Sequence, residues 1–134
     1  VSRLVMADAA LAATLSDPGV EVWTLGRDGQ DLALLELDFR VPGACEIVFL
    51  GLAPGRTGQG LGGALMALAF ARAAARGAGR IWLHTCSHDH PGAPGFYRAQ
   101  GFEAFALAVE VMPDPRSTGL IRPDAAPHVP LIPG

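Results

Sequence analysis

The segment Thr57-Gly58-Gln59-Gly60-Leu61-Gly62-Gly63 puts four glycines into seven residues. It lies between an apolar run that ends at Ala53-Pro54 and an Ala- and Leu-rich run that continues to Arg76. A strand, a glycine turn and a helix start are expected in that order. The first N–H groups of a helix have no partner within it, and the helix dipole favours negative charge beside them. Glycine adopts positive φ and lets the backbone come close to a ligand. Arg56 adds a charge next to the turn. Residues Arg56, Thr57, Gly58, Gln59, Gly60, Leu61, Gly62 and Gly63 therefore form a candidate anion site, with a phosphate as the natural guest. The competing reading is a loop whose glycines only permit tight packing of helix on strand. Gly58, Gly60 and Gly63 also match G-x-G-x-x-G, but a dinucleotide site begins its sheet with this element, and here other strands precede it. A P-loop is excluded because the chain contains no Lys.

The remaining chain reads as one mixed domain. Residues 4–15 suit a helix, and Asp17-Pro18-Gly19 stops it. Val20–Leu25 and Asp31–Arg40 suit two strands joined by Arg27-Asp28-Gly29, a hairpin signal. Pro42-Gly43 turns the chain into a third strand, Cys45–Ala53. A helix over Gly60–Arg76 follows, with Arg72 and Arg76 at its solvated end, and then a strand over Arg80–Cys86. A short helix over Pro94–Gln100 and a last strand over Phe102–Met112 complete the domain. This order predicts an α/β (α+β) fold with a mixed, mostly antiparallel sheet flanked by helices. Residues 1–112 form the expected domain, and 113–134 form a Pro-rich tail read as extended.

Composition removes several classes. At 134 residues and half hydrophobic, the chain can bury a core. A net charge of −3 argues against phosphate-backbone binding, so no nucleic-acid partner is expected. No apolar run is long enough to span a bilayer, so no membrane partner is expected either. Two cysteines, Cys45 and Cys86, do not make a disulfide scaffold, and a reducing cytoplasm is the expected compartment. Usage rich in Ala, Gly, Pro and Arg, without Lys or Asn, fits a GC-rich bacterial genome. His84, Cys86, His88, Asp89 and His90 lack the spacing of a zinc motif, and no metal is expected.

Three blocks occur in order: Glu46-Ile47-Val48-Phe49-Leu50-Gly51-Leu52-Ala53-Pro54, then Thr57 to Gly62, then Ala93-x-x-Phe96-Tyr97-x-x-x-Gly101-Phe102. Together they resemble the GNAT superfamily of N-acetyltransferases over about Glu21–Val111. The second block matches the Gln/Arg-x-x-Gly-x-Gly/Ala signature at Thr57, Gly60 and Gly62, with Thr in place of Arg or Gln. His90 stands where many members carry Asn. One helix ahead of the hairpin, and an opening Val, imply that the family's N-terminal strand and helix are missing from this chain.

The resemblance implies transfer of an acetyl group from acetyl-CoA to a primary amine, of a small molecule or a peptide, without a metal. The glycine turn would hold the diphosphate. The backbone of Leu52 and Ala53 would pair with the pantetheine arm, and His90 joins the cofactor set. Glu46 would take the amine proton; in a regular strand it shares a face with Val48, Leu50 and Leu52. Tyr97, the sole tyrosine, would return a proton to the CoA thiolate. Glu36 and Asp38, on one face of the neighbouring strand, would meet a cationic acceptor. The apolar residues of the tail allow it to wrap its own domain or a second copy in a homodimer. Two other classes stay open at this point: a CoA-binding sensor module without turnover, and a nucleotide-binding oxidoreductase.

Overall fold

The structure is a computed structural model that describes residues 2–132. It divides into two compact units, one running to His84 and one starting at Thr85.

The first unit opens with a 3-10 turn, Ser2–Val5, and helix α1, Asp8–Ser16. Strands β1 (Val20–Arg27), β2 (Gln30–Asp38) and β3 (Ala44–Leu52) follow as a meander, then helix α2 (Leu61–Ala75) and strand β4 (Arg80–Trp82). The sheet order is β1-β2-β3-β4. The first three strands pair antiparallel and β4 lies parallel to β3. A parallel neighbour requires a crossover, and α2 supplies it. The first hairpin closes through Asp28 and Gly29 with φ of 52° and 74°. Two positive φ angles match the right-handed twist of the strands.

Ala33, Leu35 and Leu37 of β2, with Cys45 and Ile47 of β3, form the floor of the core. Leu65, Met66, Ala69 and Ala73 of α2 are buried with them, at helical spacing. The small residues Ala69 and Ala73 let the helix approach the sheet closely. Arg72 and Arg76 do not simply face solvent. Arg72 donates Nε to Glu21 Oε1 at 2.8 Å and Nη2 to Oε2 at 3.1 Å, and its guanidinium lies 5.5 Å from the Trp23 ring. Arg76 sits 3.2 Å from Glu21 Oε2 and 4.6 Å from the Phe39 ring. The last turn of α2 is therefore clamped to the β1 edge, which also suits the negative end of the helix dipole. The Arg72 hydrogen bond is the main cause of a lowered Glu21 pKa.

The second unit holds α3 (Ala93–Ala99), with Pro94 in its first turn. The expected strand over Phe102–Met112 does not take regular strand form, and Leu107, Val109 and Val111 are 85–97% exposed. Alternation supplies strand propensity, but a strand exists only when a neighbour accepts its bonds. β4 is also shorter than expected: its pairing ends at Trp82, and His84 and Cys86 do not belong to a strand. No helix among the described residues is long and apolar enough to cross a membrane.

The tail is coiled, not extended. Arg116 is only 7% exposed. Its Nη1 donates to the carbonyls of Ala126 and Val129 at 3.3 and 2.8 Å, and its Nε and Nη2 grip Asp114 at 3.0 and 2.7 Å. Prolines forbid a helix here but leave carbonyls free, and one guanidinium collects them. The same grip pulls the Asp114 pKa down from 3.8 to about 2. A lowered folded pKa gives stability that is complete above the unfolded value and lost as pH falls through the folded one. The tail is therefore expected to loosen between about pH 4 and pH 2. Limited proteolysis across that window checks this. Asp114→Asn is expected to be cleaved readily already at neutral pH.

Candidate active site

Strand β3 carries a β-bulge. Glu36 pairs with Phe49 and Leu37 pairs with Ile47, so Val48 is the extra residue. An extra residue resets the alternation of faces. Leu50 and Leu52 pair with Leu35 and Ala33 on the core face. Glu46 pairs with Asp38 on the opposite face. The expectation that Glu46 shares a face with Leu50 and Leu52 is thus corrected: its neighbours are Asp38, Glu36 and Phe49. The row continues across the sheet, because Glu46 also pairs with Trp82 of β4.

The three acidic side chains of this face differ in their partners. Glu36 is buried and accepts Nε of Arg3 at 3.0 Å. Asp38 accepts Nε and Nη2 of Arg40, the latter at 2.7 Å, and the Arg40 amide at 2.9 Å. The Arg40 side chain is the main cause of a lowered Asp38 pKa. Glu46 has a looser neighbour, His84 Nδ1 at 3.4 Å, on a side chain that is 70% exposed. A cleft of about 360 Å³ opens over this row, lined by Asp38, Arg40, Val41, Ala44, Glu46 and Trp82.

Beyond this row the sheet opens. Parallel pairing joins Ala44, Cys45 and Glu46 to Arg80, Ile81 and Trp82, and stops there. Among the described residues of the first unit, the rest of β3, Ile47 to Leu52, pairs with β2 alone. The Ala53 amide donates to Leu32 O at 2.8 Å, and the Ala53 carbonyl accepts the Arg56 amide at 3.1 Å. Ala53 therefore has its backbone engaged within the protein. Backbone groups alternate sides along a strand, so those of Leu52 point to the open edge.

The open edge leads into the glycine turn. Gly58 and Gly60 have φ of 78° and 76°, a region that disfavours any side chain. Gly60 is the N-cap of α2 and has no side-chain cap. The first bond at this end runs from the Ala64 amide to Gly60 O at 3.1 Å, so the amides of Leu61, Gly62 and Gly63 lie ahead of the helical ladder. A Cβ built on Gly58, Gly60 or Gly63 meets nothing within 4 Å, so the space over the turn is open. Thr57, Gly58, Gln59 and Gly60 are exposed, and Arg56 reaches Gln30 Oε1 at 3.4 Å. Orphan donors, an open approach and one guanidinium fit a diphosphate.

In the second unit, the Tyr97 ring stacks edge-on against Phe96 and Phe102, at centroid distances of 5.4 and 6.1 Å. Burial, and secondarily the charge of Asp89, raise the Tyr97 pKa. The phenol therefore stays protonated through neutral pH. His90 accepts the Gly92 amide at Nδ1, 3.0 Å away, in the turn before α3, and lines a cleft of about 310 Å³ with His88 and His128. Asp89 accepts the Thr85 hydroxyl at 2.7 Å and the Cys86 amide at 2.9 Å, and so ties its own turn. Among the described residues no three His, Cys, Asp or Glu side chains group as a metal would need. Cys45 is buried, and desolvation is the main cause of a thiol pKa pushed up to about 11. Sequence reasoning did not single out Trp82 or Arg40 as cleft residues; an aromatic residue and a strand-end Arg beside Pro42-Gly43 were the available signals.

The sequence profile of the family described as "Acetyltransferase (GNAT) family" matches residues 4–102. Solved structures with the same fold include a transcriptional regulator from Bacillus halodurans C-125, at 23% identity and a TM-score of 0.66, covering 78% of this chain and 73% of that one. An aminoglycoside N-acetyltransferase, AAC(6')-Iy, in complex with CoA is similar at 15% identity and a TM-score of 0.65, covering 79% of this chain and 84% of that one. An acetyltransferase from Trypanosoma brucei is similar at 19% identity and a TM-score of 0.63, covering 78% and 76%. At these identities the likeness establishes the fold. No curated protein matches the chain.

Proposed function

The chain belongs to the GNAT acetyltransferase family, and on that premise we propose that it moves the acetyl group of acetyl-CoA directly to a primary amine within a ternary complex. The observation that carries this reading is the end of the β3–β4 ladder at the Glu46–Trp82 pair. It leaves a strand edge on which an extended pantetheine arm can lie, between a carboxylate and a helix mouth. The amides of Leu61, Gly62 and Gly63, with Arg56, bind the diphosphate. The Leu52 amide faces the thioester oxygen and stabilises the charge that grows there.

Glu46 takes a proton from the bound ammonium, and the neutral nitrogen then attacks the thioester carbon. The new C–N bond forms, the C–S bond breaks, the Tyr97 hydroxyl gives its proton to the departing sulfur, and the second proton of the nitrogen returns to the Tyr97 oxygen. The role of Tyr97 rests on the family pattern Phe96-Tyr97…Gly101-Phe102 and on its protonated state. Glu36 and Asp38 shape the acceptor side of the sheet, each held by its own Arg.

The direct test is titration with acetyl-CoA, followed by release of free CoA thiol in the presence of amines. Saturable binding and amine-dependent release are expected; binding without release to any amine would leave a cofactor sensor instead. The phosphate site has a separate test. Gly60→Asp is expected to weaken CoA binding about 10- to 100-fold, because a carboxylate then faces the diphosphate. Gly60→Asn has nearly the same shape and tolerates positive φ equally, and is expected to retain most of the affinity. Equal loss in both variants would show that charge at this turn plays no part.

A further inference from the structure

We infer that the cleft over the Asp38–Glu46–Trp82 row selects a primary monoamine on an apolar alkyl or aryl body, and disfavours polyamines and other multiply charged acceptors; the inference rests on the acetyltransferase reading of Glu46. The charges decide it. The cleft is lined by Asp38, Arg40 and Glu46, two carboxylates and one guanidinium. Asp38 and Arg40 satisfy each other through three side-chain contacts of 2.7–3.1 Å. Glu36, further along the same face, is neutralised by Arg3. Among the described residues Glu46 has no arginine, only the exposed His84 ring at 3.4 Å, so its carboxylate is the one left for the guest. A single ammonium matches it, whereas a second would find both other carboxylates already taken and would lose its water without a partner.

The remaining walls are Val41, Ala44 and Trp82. Trp82 shares the row with Glu46, so its indole borders the position of the ammonium. An indole face attracts a cation and also covers an apolar body. A volume of about 360 Å³ holds a small amine with room to spare and falls at the low end of small-molecule sites. A large polyhydroxylated acceptor would have few polar groups to meet. Acidic residues on one face alone would favour a polycation, and it is their arginine partners that reverse the expectation.

The test compares kcat/KM for 2-phenylethylamine and n-hexylamine with that for spermidine and kanamycin. The monoamines are expected to lead by about tenfold or more, a difference of ~1.4 kcal/mol in transition-state stabilisation. Trp82→Ala is expected to remove most of that lead without changing acetyl-CoA affinity, and Trp82→Phe to keep part of it. A preference for spermidine or kanamycin overturns the inference and leaves acetyl transfer standing. Calorimetric titration of n-hexylamine into the protein without acetyl-CoA reads the cleft by itself. Binding that weakens in Trp82→Ala supports the inference even where transfer fails, and no binding of n-hexylamine overturns it even where transfer to another amine succeeds.

Discussion

Replacing Glu46 by Gln is expected to lower kcat/KM for the amine by about 10²–10⁴-fold, with acetyl-CoA affinity unchanged. Gln keeps the size and the hydrogen bonding of the side chain but cannot take a proton. Glu46 lies on the face away from the core, paired in register with Asp38 and Trp82, so the substitution leaves packing undisturbed. The His84 ring that approaches Glu46 at 3.4 Å is exposed, so water replaces the lost contact. The variant must wait for amine that is already neutral. An alkyl amine has a pKa of about 10, so that fraction rises roughly tenfold per pH unit below it. The deficit should therefore shrink steadily from pH 7 to pH 9. A deficit that stays constant with pH would assign Glu46 to acceptor binding, and a rate within twofold of the parent would remove it from the site.

Tyr97→Phe should reduce kcat by about 10²-fold with little change in KM for acetyl-CoA. The ring contacts with Phe96 and Phe102 survive the change, so the fold of the second unit is retained. Only the hydroxyl proton is lost. Burial holds that proton on firmly, so the parent has a donor available at every neutral pH. Without it, the sulfur must leave as a bare thiolate. A donor thioester whose thiol is more acidic needs less help. With such a donor the two proteins should approach equal rates. If the deficit persists there, the hydroxyl positions the cofactor and gives no proton.

Much of this architecture can be read from the residues. Asp28-Gly29 and Pro42-Gly43 mark the meander because few other residues make those turns. The glycine turn announces a helix mouth for the same reason, and two of its glycines do adopt positive φ. The bulge at Val48 is invisible by comparison. Ile47, Val48 and Phe49 are all good strand formers, and nothing in them says that one is extra. The face on which Glu46 lies depends on that single residue. Nor do Arg3–Glu36 and Arg72–Glu21, 33 and 51 residues apart, carry a local signal, since such pairs are decided by tertiary packing. The segment Phe102–Met112 shows the reverse case: its pattern is that of a strand, while the structure gives it no regular strand form.

The bulge in β3 also partitions how this protein can vary. In the proposed reaction, residues before Val48 that point away from α2 serve the acceptor, and the stretch after it serves the cofactor through its main chain. Substitutions that retune amine preference can therefore accumulate at Asp38 and Trp82 while Glu46, as the proposed base, and the grip on the donor are inherited unchanged, so close descendants of this chain can diverge in diet without relearning how to hold their fuel.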